Sequence, residues 1–282
     1  MKIVIFGKNG QVGSALVKEF GVENGFQIDS YSAADVDFSD VNSLEIFLNN
    51  LKKIPDLIIN AAAYTNVDKA EEERDLADKI NHQAVKILAD FCAQKKVILI
   101  HYSTDYVFDG SGNEEFAEDN SKNLHPLNHY GKTKLDGENS IIKSGCNYLI
   151  FRTSWVWSAN GKNFVNTIKR LAQEREELNI VSDQIGAPTS AEFIAQSTIK
   201  IIKKLPDFKS FPSGIYHLVE NENMSWYDFA LKIIENLKNE GEILKVKKIN
   251  PISSDQYKTP AKRPLNSRLN TKKISRFLNK KI

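Results

Sequence analysis

The first half of the chain combines two hydrophobic periods. Short apolar runs predict buried strands at 2–6, 57–60, 97–101 and 147–152, and a second strand is predicted over 26–32. Between these runs, apolar residues recur at helical spacing, which predicts helices over 12–20, 44–51 and 75–94 and from residue 128 onward. Strands that alternate with helices form parallel βαβ units, and near-continuous apolar strands are typical of a sheet covered on both faces. We therefore predict an α/β fold with a doubly wound parallel sheet.

The pattern loosens after Arg152. Short strands are predicted at 179–182, 214–218 and 244–249, and helices at 163–174, 192–204 and 225–238. We predict one domain over 1–152 and a smaller α/β lobe over 153–282. Segments of this lobe are expected to cross between the two parts, so the boundary is approximate. The last ten residues, 273–282, are expected to form a solvated charged tail.

Composition changes this picture little. The chain has 282 residues, of which 41% are hydrophobic and 26% charged, as in ordinary globular proteins of one large or two modest domains. No apolar run approaches the ~18 residues of a membrane span, and no segment resembles a nucleic-acid-binding motif. Cys92 and Cys146 lack the spacing of metal ligands. We therefore expect reduced thiols, a cytoplasmic protein and no metal site.

A glycine-rich segment joins the first strand to the first helix. Residues 7–13 read G-K-N-G-Q-V-G. Gly7, Gly10 and Gly13 allow a tight turn and a close approach of the backbone to a pyrophosphate, which then rests on the N-terminus of the helix. Gln11 and Val12 lie at the start of that helix. In a βα unit, this segment predicts a dinucleotide-binding site.

The end of the second strand bears on the choice of dinucleotide. A carboxylate at this position binds the ribose 2′-hydroxyl of NAD. Our preferred register places Ser32 there, which leaves no carboxylate to repel a 2′-phosphate, and Lys8 lies in the nearby loop. The sequence therefore favours NADPH, with NADH also accepted.

Further segments follow in a distinctive order. They are Asp37-Phe38, NAAAYTNVDKAE at 60–71, YSTDYVFDG at 102–110, and then Tyr130 and Lys134. This order resembles the extended short-chain dehydrogenase/reductase superfamily, whose sheet has the Rossmann fold. The segments NAAAYTNVDKAE, STDYVFDG, YGKTKLDGE, RTSWVW, GAPT and RPLNSRL are similar, more narrowly, to the dTDP-4-dehydrorhamnose reductases. The resemblance implies NAD(P)H-dependent reduction of the C4 keto group of dTDP-4-dehydro-β-L-rhamnose to dTDP-L-rhamnose.

The spacing of Tyr130 and Lys134 fits this chemistry. Four residues apart, they lie one turn apart on one helix face. Tyr130 can donate the proton that a ketone reduction needs, but the pKa of a free phenol, ~10, is too high for efficient catalysis at neutral pH. The positive charge of Lys134 is expected to lower that pKa. The resemblance also implies that Lys134 hydrogen-bonds the nicotinamide ribose and that Thr104 holds the carbonyl oxygen beside Tyr130.

The resemblance implies further binding residues. Beyond the glycine segment, the cofactor set comprises Asp37, Phe38, Ala62, Ala63, Tyr64, Thr65 and Tyr102, together with Tyr130 and Lys134. The substrate set comprises Thr104, Asp105, Tyr130 and Trp155, with Asp105 on a sugar hydroxyl and Trp155 stacked on the sugar or the thymine. An Asp after a strand is also a common helix cap, and a Trp in an apolar segment is otherwise a core residue. His101, His125, His129 and His217 are interpreted as structural or surface residues.

Two other classes stay open. The fold also resembles the β subunit of methionine adenosyltransferase, a non-catalytic regulatory protein, although the joint presence of Thr104, Tyr130 and Lys134 argues against this class. The second is a nucleotide-sugar epimerase or dehydratase of the same superfamily. A dehydratase usually carries Asp-Glu beside its catalytic Thr, whereas Asp105-Tyr106 stands here.

The resemblance also bears on assembly. Some dTDP-4-dehydrorhamnose reductases bind a divalent ion at a dimer interface through glutamates. Ala15 occupies one of those positions, and only Glu192 matches another. We therefore expect a monomer, or a homodimer that does not depend on an ion.

Overall fold

The computed structural model describes residues 1–205 and 211–278. Its strands are β1 (Lys2–Phe6), β2 (Gln27–Tyr31), β3 (Leu57–Asn60), β4 (Ile98–Thr104), β5 (Tyr148–Thr153), β6 (Val156–Trp157), β7 (Glu177–Val181), β8 (Ile185–Gly186), β9 (Thr189–Ser190), β10 (Gly214–His217), β11 (Met224–Ser225) and β12 (Lys248–Ile252). Its helices are α1 (Gln11–Gly21), α2 (Val41–Asn49), α3 (Arg74–Asp78), α4 (Ala84–Lys95), α5 (His129–Ser144), α6 (Phe164–Glu174), α7 (Ala191–Lys203), α8 (Trp226–Asn239) and α9 (Lys272–Leu278).

The central feature is a six-stranded parallel sheet in the order β2-β1-β3-β4-β5-β10. The chain runs outward from β1 to β2 and then returns to the other side of β1 with β3. This reversal places a crevice at the carboxyl ends of β1 and β3, where doubly wound sheets bind their ligands. The predicted fold class is confirmed.

Helices cover both faces of the sheet. On one face, α1, α7 and α9 contribute Leu16, Ile199 and Ile274 to an apolar layer against the strands. On the other face, α2, α4 and α5 form a second layer that includes Leu44, Leu48, Leu88, Phe91 and Ile141. This coverage explains why the central strands are apolar at nearly every position. Within the described ranges, no helix has the length and apolar character that crossing a bilayer requires.

The helix predicted over 75–94 contains an irregularity. The chain is helical from Arg74 to Lys95, but Lys79–Gln83 forms a π-helical turn between α3 and α4. A single inserted residue changes the helical period only locally, so the hydrophobic pattern did not indicate it. Such turns are frequent at functional sites, and this one places Asn81 against α5.

A second, smaller core lies beyond the sheet. It packs α6 and α8 against the parallel pair of β7 and β12, with Ile168, Phe229 and Ile233 among its buried members. The strand predicted at 244–249 is displaced to Lys248–Ile252. Leu244 and Val246 pack on this core, and the partner strand β7 sets where pairing starts.

Segments from beyond residue 153 return to the main sheet. Strand β10 pairs with β5, and α7 packs on α1. Segments therefore cross between the two parts, as expected, and the division at 152/153 remains a prediction about domains. The expectation of a solvated tail from residue 273 is wrong as far as residue 278, because Ile274 is fully buried. Residues 279–282 lie outside the described residues.

Candidate active site

The glycine segment forms the tight turn between β1 and α1. Gly7 has φ +87°, and a Cβ there would lie 2.6 Å from the backbone of Ala61 and Ala62. A Cβ at Gly13 would lie 2.0 Å from the carbonyl oxygen of Gly7. Both positions therefore require glycine. Gly10 is the N-cap of α1 and makes no side-chain cap, so the first N–H groups of the helix face the crevice without a side-chain partner, as an anion site requires.

A cavity of about 220 Å³ opens beside this turn. Its lining includes several predicted cofactor residues, namely Gly7, Gly10, Phe38, Ala62 and Ala63, together with Phe6, Asn9, Tyr31, Ser32, Ala33, Val36, Ala61 and Ile80. The wall is mostly backbone and apolar side chains, as expected of a slot for an adenine and its ribose.

Other predicted cofactor residues lie outside that wall. The carboxylate of Asp37 accepts hydrogen bonds from the backbone and hydroxyl of Ser39, and Asp37 is exposed. Gln11 accepts hydrogen bonds from Ser158 and Asn163, while Val12 packs into the core beneath α1. Their roles in cofactor binding remain predictions.

A carboxylate stands beside Ser32, contrary to the sequence expectation. Asp35 Oδ2 accepts hydrogen bonds from the Ser32 backbone N and hydroxyl, both at 2.8 Å, and lies 2.8 Å from Lys8 Nζ. These partners, Lys8 foremost, hold the pKa of Asp35 well below its usual range. The expectation that no carboxylate lies beside Ser32 is therefore wrong. Asp35 follows Ser32 by three residues in sequence, and Lys8 balances its charge.

The loop after β3 is fixed by Asn81 of the π-helical turn. Asn81 Oδ1 accepts from Tyr64 N at 2.9 Å, and its Nδ2 donates to Tyr64 O at 3.0 Å and to Thr133 Oγ1 at 3.2 Å. Asn81 thereby joins the cofactor-facing loop to α5. The Tyr64 hydroxyl donates to Glu73 at 2.5 Å, and Thr65 is exposed. The role of Asn81 was not predicted, because the only sequence signal for it is an Asn within an apolar helix.

Thr104, Asp105 and Tyr130 meet at the carboxyl end of β4. Thr104 lies beside Tyr130, and its hydroxyl donates to Asp105 Oδ1 at 3.0 Å. Burial raises the pKa of Tyr130 above its ordinary value; the neighbouring Thr104 hydroxyl lowers it and the charge of Asp105 raises it. The structure therefore brings together the predicted proton donor and the predicted carbonyl-binding hydroxyl.

Asp105 is a buried acid with an unused oxygen. Burial raises its pKa to about 6, against hydrogen bonds from Ser267 and Thr104. Its Oδ2 has no hydrogen-bond partner within the described part of the chain. Buried polar atoms are rarely left unpaired unless a ligand or water completes them. Asp105 therefore has the free acceptor that a substrate hydroxyl needs.

Lys134 is almost fully buried and turns toward β4. Its Nζ donates to Tyr102 O at 2.7 Å and lies 3.2 Å from His101 Nε2. Burial lowers the pKa of Lys134 to about 8, although the charge of Glu138 opposes this effect. The Tyr102 hydroxyl is hydrogen-bonded to Thr198 in the core, so only the backbone of Tyr102 reaches the site. Lowering of the Tyr130 pKa by Lys134 remains a prediction.

Trp155 is partly buried and stacks on another Trp of the chain. Its ring lies 3.5 Å from that of Trp226 at 8°, and a Cβ on Gly186 would lie 2.7 Å from the same indole. Its φ of +47° is strained for a residue with a side chain. Stacking on a sugar or thymine remains a prediction, and it requires a rearrangement of this Trp pair.

The sheet and these residues define a class. A doubly wound sheet with a glycine turn after β1, a Thr at the end of β4 and a Tyr and Lys one turn apart on α5 is the arrangement of a short-chain dehydrogenase/reductase. The chain belongs to the family described as RmlD substrate binding domain, which matches residues 1–282. The resemblance to dTDP-4-dehydrorhamnose reductases is confirmed.

Known proteins agree with this assignment. The chain is 42% identical to the dTDP-4-dehydrorhamnose reductase of Escherichia coli K12 over 279 residues, which is 97% of this chain and 91% of that protein. A dTDP-4-dehydrorhamnose reductase from Bacillus anthracis, solved in complex with NADP, superposes with a TM-score of 0.87 at 32% identity, covering 99% of this chain and 93% of that one. A Clostridium acetobutylicum ortholog gives 0.85 at 37% identity, covering 96% and 90%.

Proposed function

We propose that this protein reduces the C4 keto group of dTDP-4-dehydro-β-L-rhamnose to give dTDP-L-rhamnose, with NADPH as cofactor and NADH also accepted. The observation that carries the proposal is the meeting of Thr104, Tyr130 and the buried Asp105 at the end of β4, where Asp105 Oδ2 has no partner among the described residues. The names of the relatives support the same substrate and a nucleotide-sugar pathway.

The residues present fit a dinucleotide. The space that a Cβ would fill at Gly7 and the N-terminus of α1, free of a side-chain cap, can accept a pyrophosphate. The cavity lined by Phe38, Ala62 and Ala63 can accept the adenosine. When bound, the cofactor supplies the hydride for the carbonyl carbon. The remaining chemistry belongs to the protein.

The side chains divide the other tasks. Tyr130 donates its phenolic proton to the carbonyl oxygen, which the Thr104 hydroxyl holds in reach. Asp105 Oδ2 accepts a hydrogen bond from a sugar hydroxyl and so orients the ring. Lys134, as an ammonium, stabilises the phenolate that forms on Tyr130 and donates to the nicotinamide ribose.

The test is NADPH consumption on addition of enzymatically made dTDP-4-keto-L-rhamnose. We expect turnover by the protein, and a loss of ~10²–10⁴-fold in kcat for Tyr130→Phe, because only the proton donor is removed. The NADPH Kd of the variant should match that of the parent. If the parent binds NADPH but does not oxidise it, the reductase function is excluded and a regulatory role is favoured.

Two further points belong to the proposal. Cys92 and Cys146 are both buried free thiols, which suits a reducing compartment such as the cytoplasm. The state of assembly is proposed to be a monomer, or a homodimer held without an ion, and addition of EDTA should leave its sedimentation coefficient unchanged.

A further inference from the structure

The Lys134 ammonium of the proposed mechanism faces a histidine that the mechanism does not use. His101 lies on β4 and is fully buried. Its Nδ1 is 3.1 Å from Asn60 Nδ2, and its Nε2 is 3.2 Å from Lys134 Nζ. The three side chains form a line from β3 through β4 to α5. Each contact in that line needs one donor and one acceptor.

Asn60 determines which nitrogen of His101 carries the proton. Asn60 Oδ1 accepts a hydrogen bond from Ala62 N at 3.1 Å, so the amide NH₂ must be the group that faces His101. An NH₂ group can only donate. His101 Nδ1 is therefore the acceptor, and the single proton of the neutral imidazole lies on Nε2.

The proton on His101 Nε2 also determines which form of Lys134 fits the site. His101 Nε2–H points at Lys134 Nζ, and an ammonium has no lone pair with which to accept it. A neutral amine can accept from Nε2–H and still donate to Tyr102 O at 2.7 Å. The opposite arrangement would set Nδ1–H against the Asn60 NH₂, two donors with no acceptor between them. Only the amine satisfies every contact.

The charges around Lys134 are compatible with an amine. Of the acids on its own helix, Glu138 is the one whose charge acts on Lys134, and its carboxylate is held by Arg152 of β5 at 2.6 Å and by Ser103 of β4 at 2.5 Å. That carboxylate favours an ammonium, but its charge is already paired with a guanidinium. From β4, His101 and Tyr102 face the amine, and Tyr130 lies one turn earlier on α5. Burial lowers the pKa of His101 well below its ordinary value, which keeps the imidazole neutral.

We propose that His101, with its tautomer fixed by Asn60, is a positioning residue that favours the neutral amine of Lys134 in the cofactor-free protein, so that NADPH binding at alkaline pH is coupled to the uptake of a proton at Lys134. The proton comes from solvent and converts Lys134 from an amine to an ammonium. This inference rests on the proposed function, in which Lys134 acts as an ammonium.

The tautomer can be tested in the cofactor-free protein. With ¹⁵N-labelled histidine, long-range ¹H–¹⁵N spectra distinguish a protonated from an unprotonated ring nitrogen. We expect the His101 signals, assigned by their loss in His101→Gln, to show a protonated Nε2 and an unprotonated Nδ1. A protonated Nδ1, or a doubly protonated ring, would overturn the proposal whether or not NADPH binds.

Proton uptake is measured by titration calorimetry of NADPH binding in buffers of different ionisation enthalpy. At about pH 9 the phosphates of NADPH are fully ionised, so they take up no proton. With a Lys134 pKa of about 8 in the free protein and an ordinary value near 10.4 in the complex, we expect roughly 0.9 proton per NADPH at about pH 9 and roughly 0.1 at about pH 7.

Two variants separate this role from a structural one. In His101→Gln the amide oxygen can turn toward an ammonium, so uptake at about pH 9 should fall to less than half of the parent value. His217→Gln is the matched control, because His217 is also a fully buried histidine but lies on β10. Its uptake should equal that of the parent. A merely structural His101 would change the melting temperature or the Kd and leave the proton number unchanged.

The outcomes separate the two proposals. NADPH binding without proton uptake, or equal uptake by His101→Gln and the parent, overturns the role of His101 and leaves the reductase function standing. Failure of NADPH to bind overturns the proposed function and the proton coupling that depends on it.

Discussion

Asp105 shows how a single residue can serve binding at the expense of stability. Burial raises the pKa of its carboxyl from the ordinary 3.8 to about 6, so the folded protein favours the protonated form at acidic pH. The stability that this group contributes is fully present below the unfolded pKa and is lost as the pH rises through the folded pKa. At neutral pH the ionised, half-satisfied carboxylate is therefore a cost, of about 3 kcal/mol for a shift of about two pKa units.

Asp105→Asn should stabilise the cofactor-free protein at pH 7 by about 1–3 kcal/mol, because the amide carries no charge and keeps the acceptor for Thr104. The gain in the free energy of unfolding should be smaller at pH 5, which lies between the pKa values of Asp105 in the unfolded and folded states. Urea unfolding at the two pH values measures it. The same variant should raise the substrate KM, because the free acceptor at Oδ2 is lost. A gain that does not change between pH 5 and pH 7 would contradict the assignment of the raised pKa.

Asp35 and Lys8 give a prediction about cofactor choice. Asp35→Asn removes the carboxylate beside Ser32 and frees the charge of Lys8, so the ratio of kcat/KM for NADPH over NADH should rise on the order of tenfold. Lys8→Gln is the matched opposite, since it leaves the carboxylate without its cation, and its ratio should fall. Steady-state kinetics with both cofactors measures the ratios. If both variants keep the parent ratio, the 2′ position of the ribose lies elsewhere.

At the scale of residues, the sequence revealed what depends on local spacing. The sequence spacing predicted the tight turn that contains Gly7, Gly10 and Gly13. It also predicted that Tyr130 and Lys134 lie on one face of a helix. Asp35 was missed because its carboxylate folds back on Ser32. His101 was interpreted as structural or surface, since its contacts with Asn60 and Lys134 depend on the strand register and on how α5 lies against β4.

At the scale of elements, α5 is held to the sheet by a buried ion pair. The Glu138 carboxylate accepts hydrogen bonds from Arg152 Nε at 2.9 Å and from Arg152 Nη2 at 2.6 Å, and both side chains are almost completely buried. Glu138 follows Lys134 by one turn. The ion pair therefore anchors the helix face that carries the proposed catalytic residues.

Glu138→Gln should lower the free energy of unfolding by ~3–5 kcal/mol, because it leaves Arg152 as a buried charge without a counter-ion. The control is Asp90→Asn, which breaks the exposed pair of Lys86 and Asp90 and should cost less than about 1 kcal/mol. Urea denaturation compares the two variants. Similar losses would mean that the pair on α5 is screened by solvent and does not anchor the helix.

Elements with strong periodicity were predicted and those set by distant pairing were not. Apolar runs located β1, β3, β4 and β5, because helices cover both faces of these strands, whereas the edge strand β2 is polar and only partly buried. The displacement of β12 to Lys248–Ile252 reflects pairing with β7, some seventy residues earlier in the chain. The π-helical turn at Lys79–Gln83 depends on one extra residue, which a hydrophobic period cannot resolve.

At the scale of the whole molecule, the two parts of the chain are interleaved. The position of β10 beside β5 could not be predicted, because a short apolar strand carries no signal for which sheet it joins. A second connection is made by the segment 261–268, which returns across the active-site end of the sheet. There Asn128 donates to Lys262 O at 2.8 Å, and Phe116 N donates to Arg268 O at 2.9 Å.

The ion pair of Arg263 and Asp68 is the test of this connection. Arg263 donates to Asp68 Oδ2 at 2.7 Å across 195 residues of sequence, and their side chains are 23% and 35% exposed. Arg263 and the backbone of Ala261 lower the pKa of Asp68 against partial burial, so the pair favours the folded state. Because solvent screens part of the charge, Arg263→Met and Asp68→Asn should each cost about 1 kcal/mol. The double variant should cost less than the sum, with a coupling of roughly 0.5–1.5 kcal/mol in urea unfolding. Strictly additive losses would show that the returning segment is held by its backbone bonds alone.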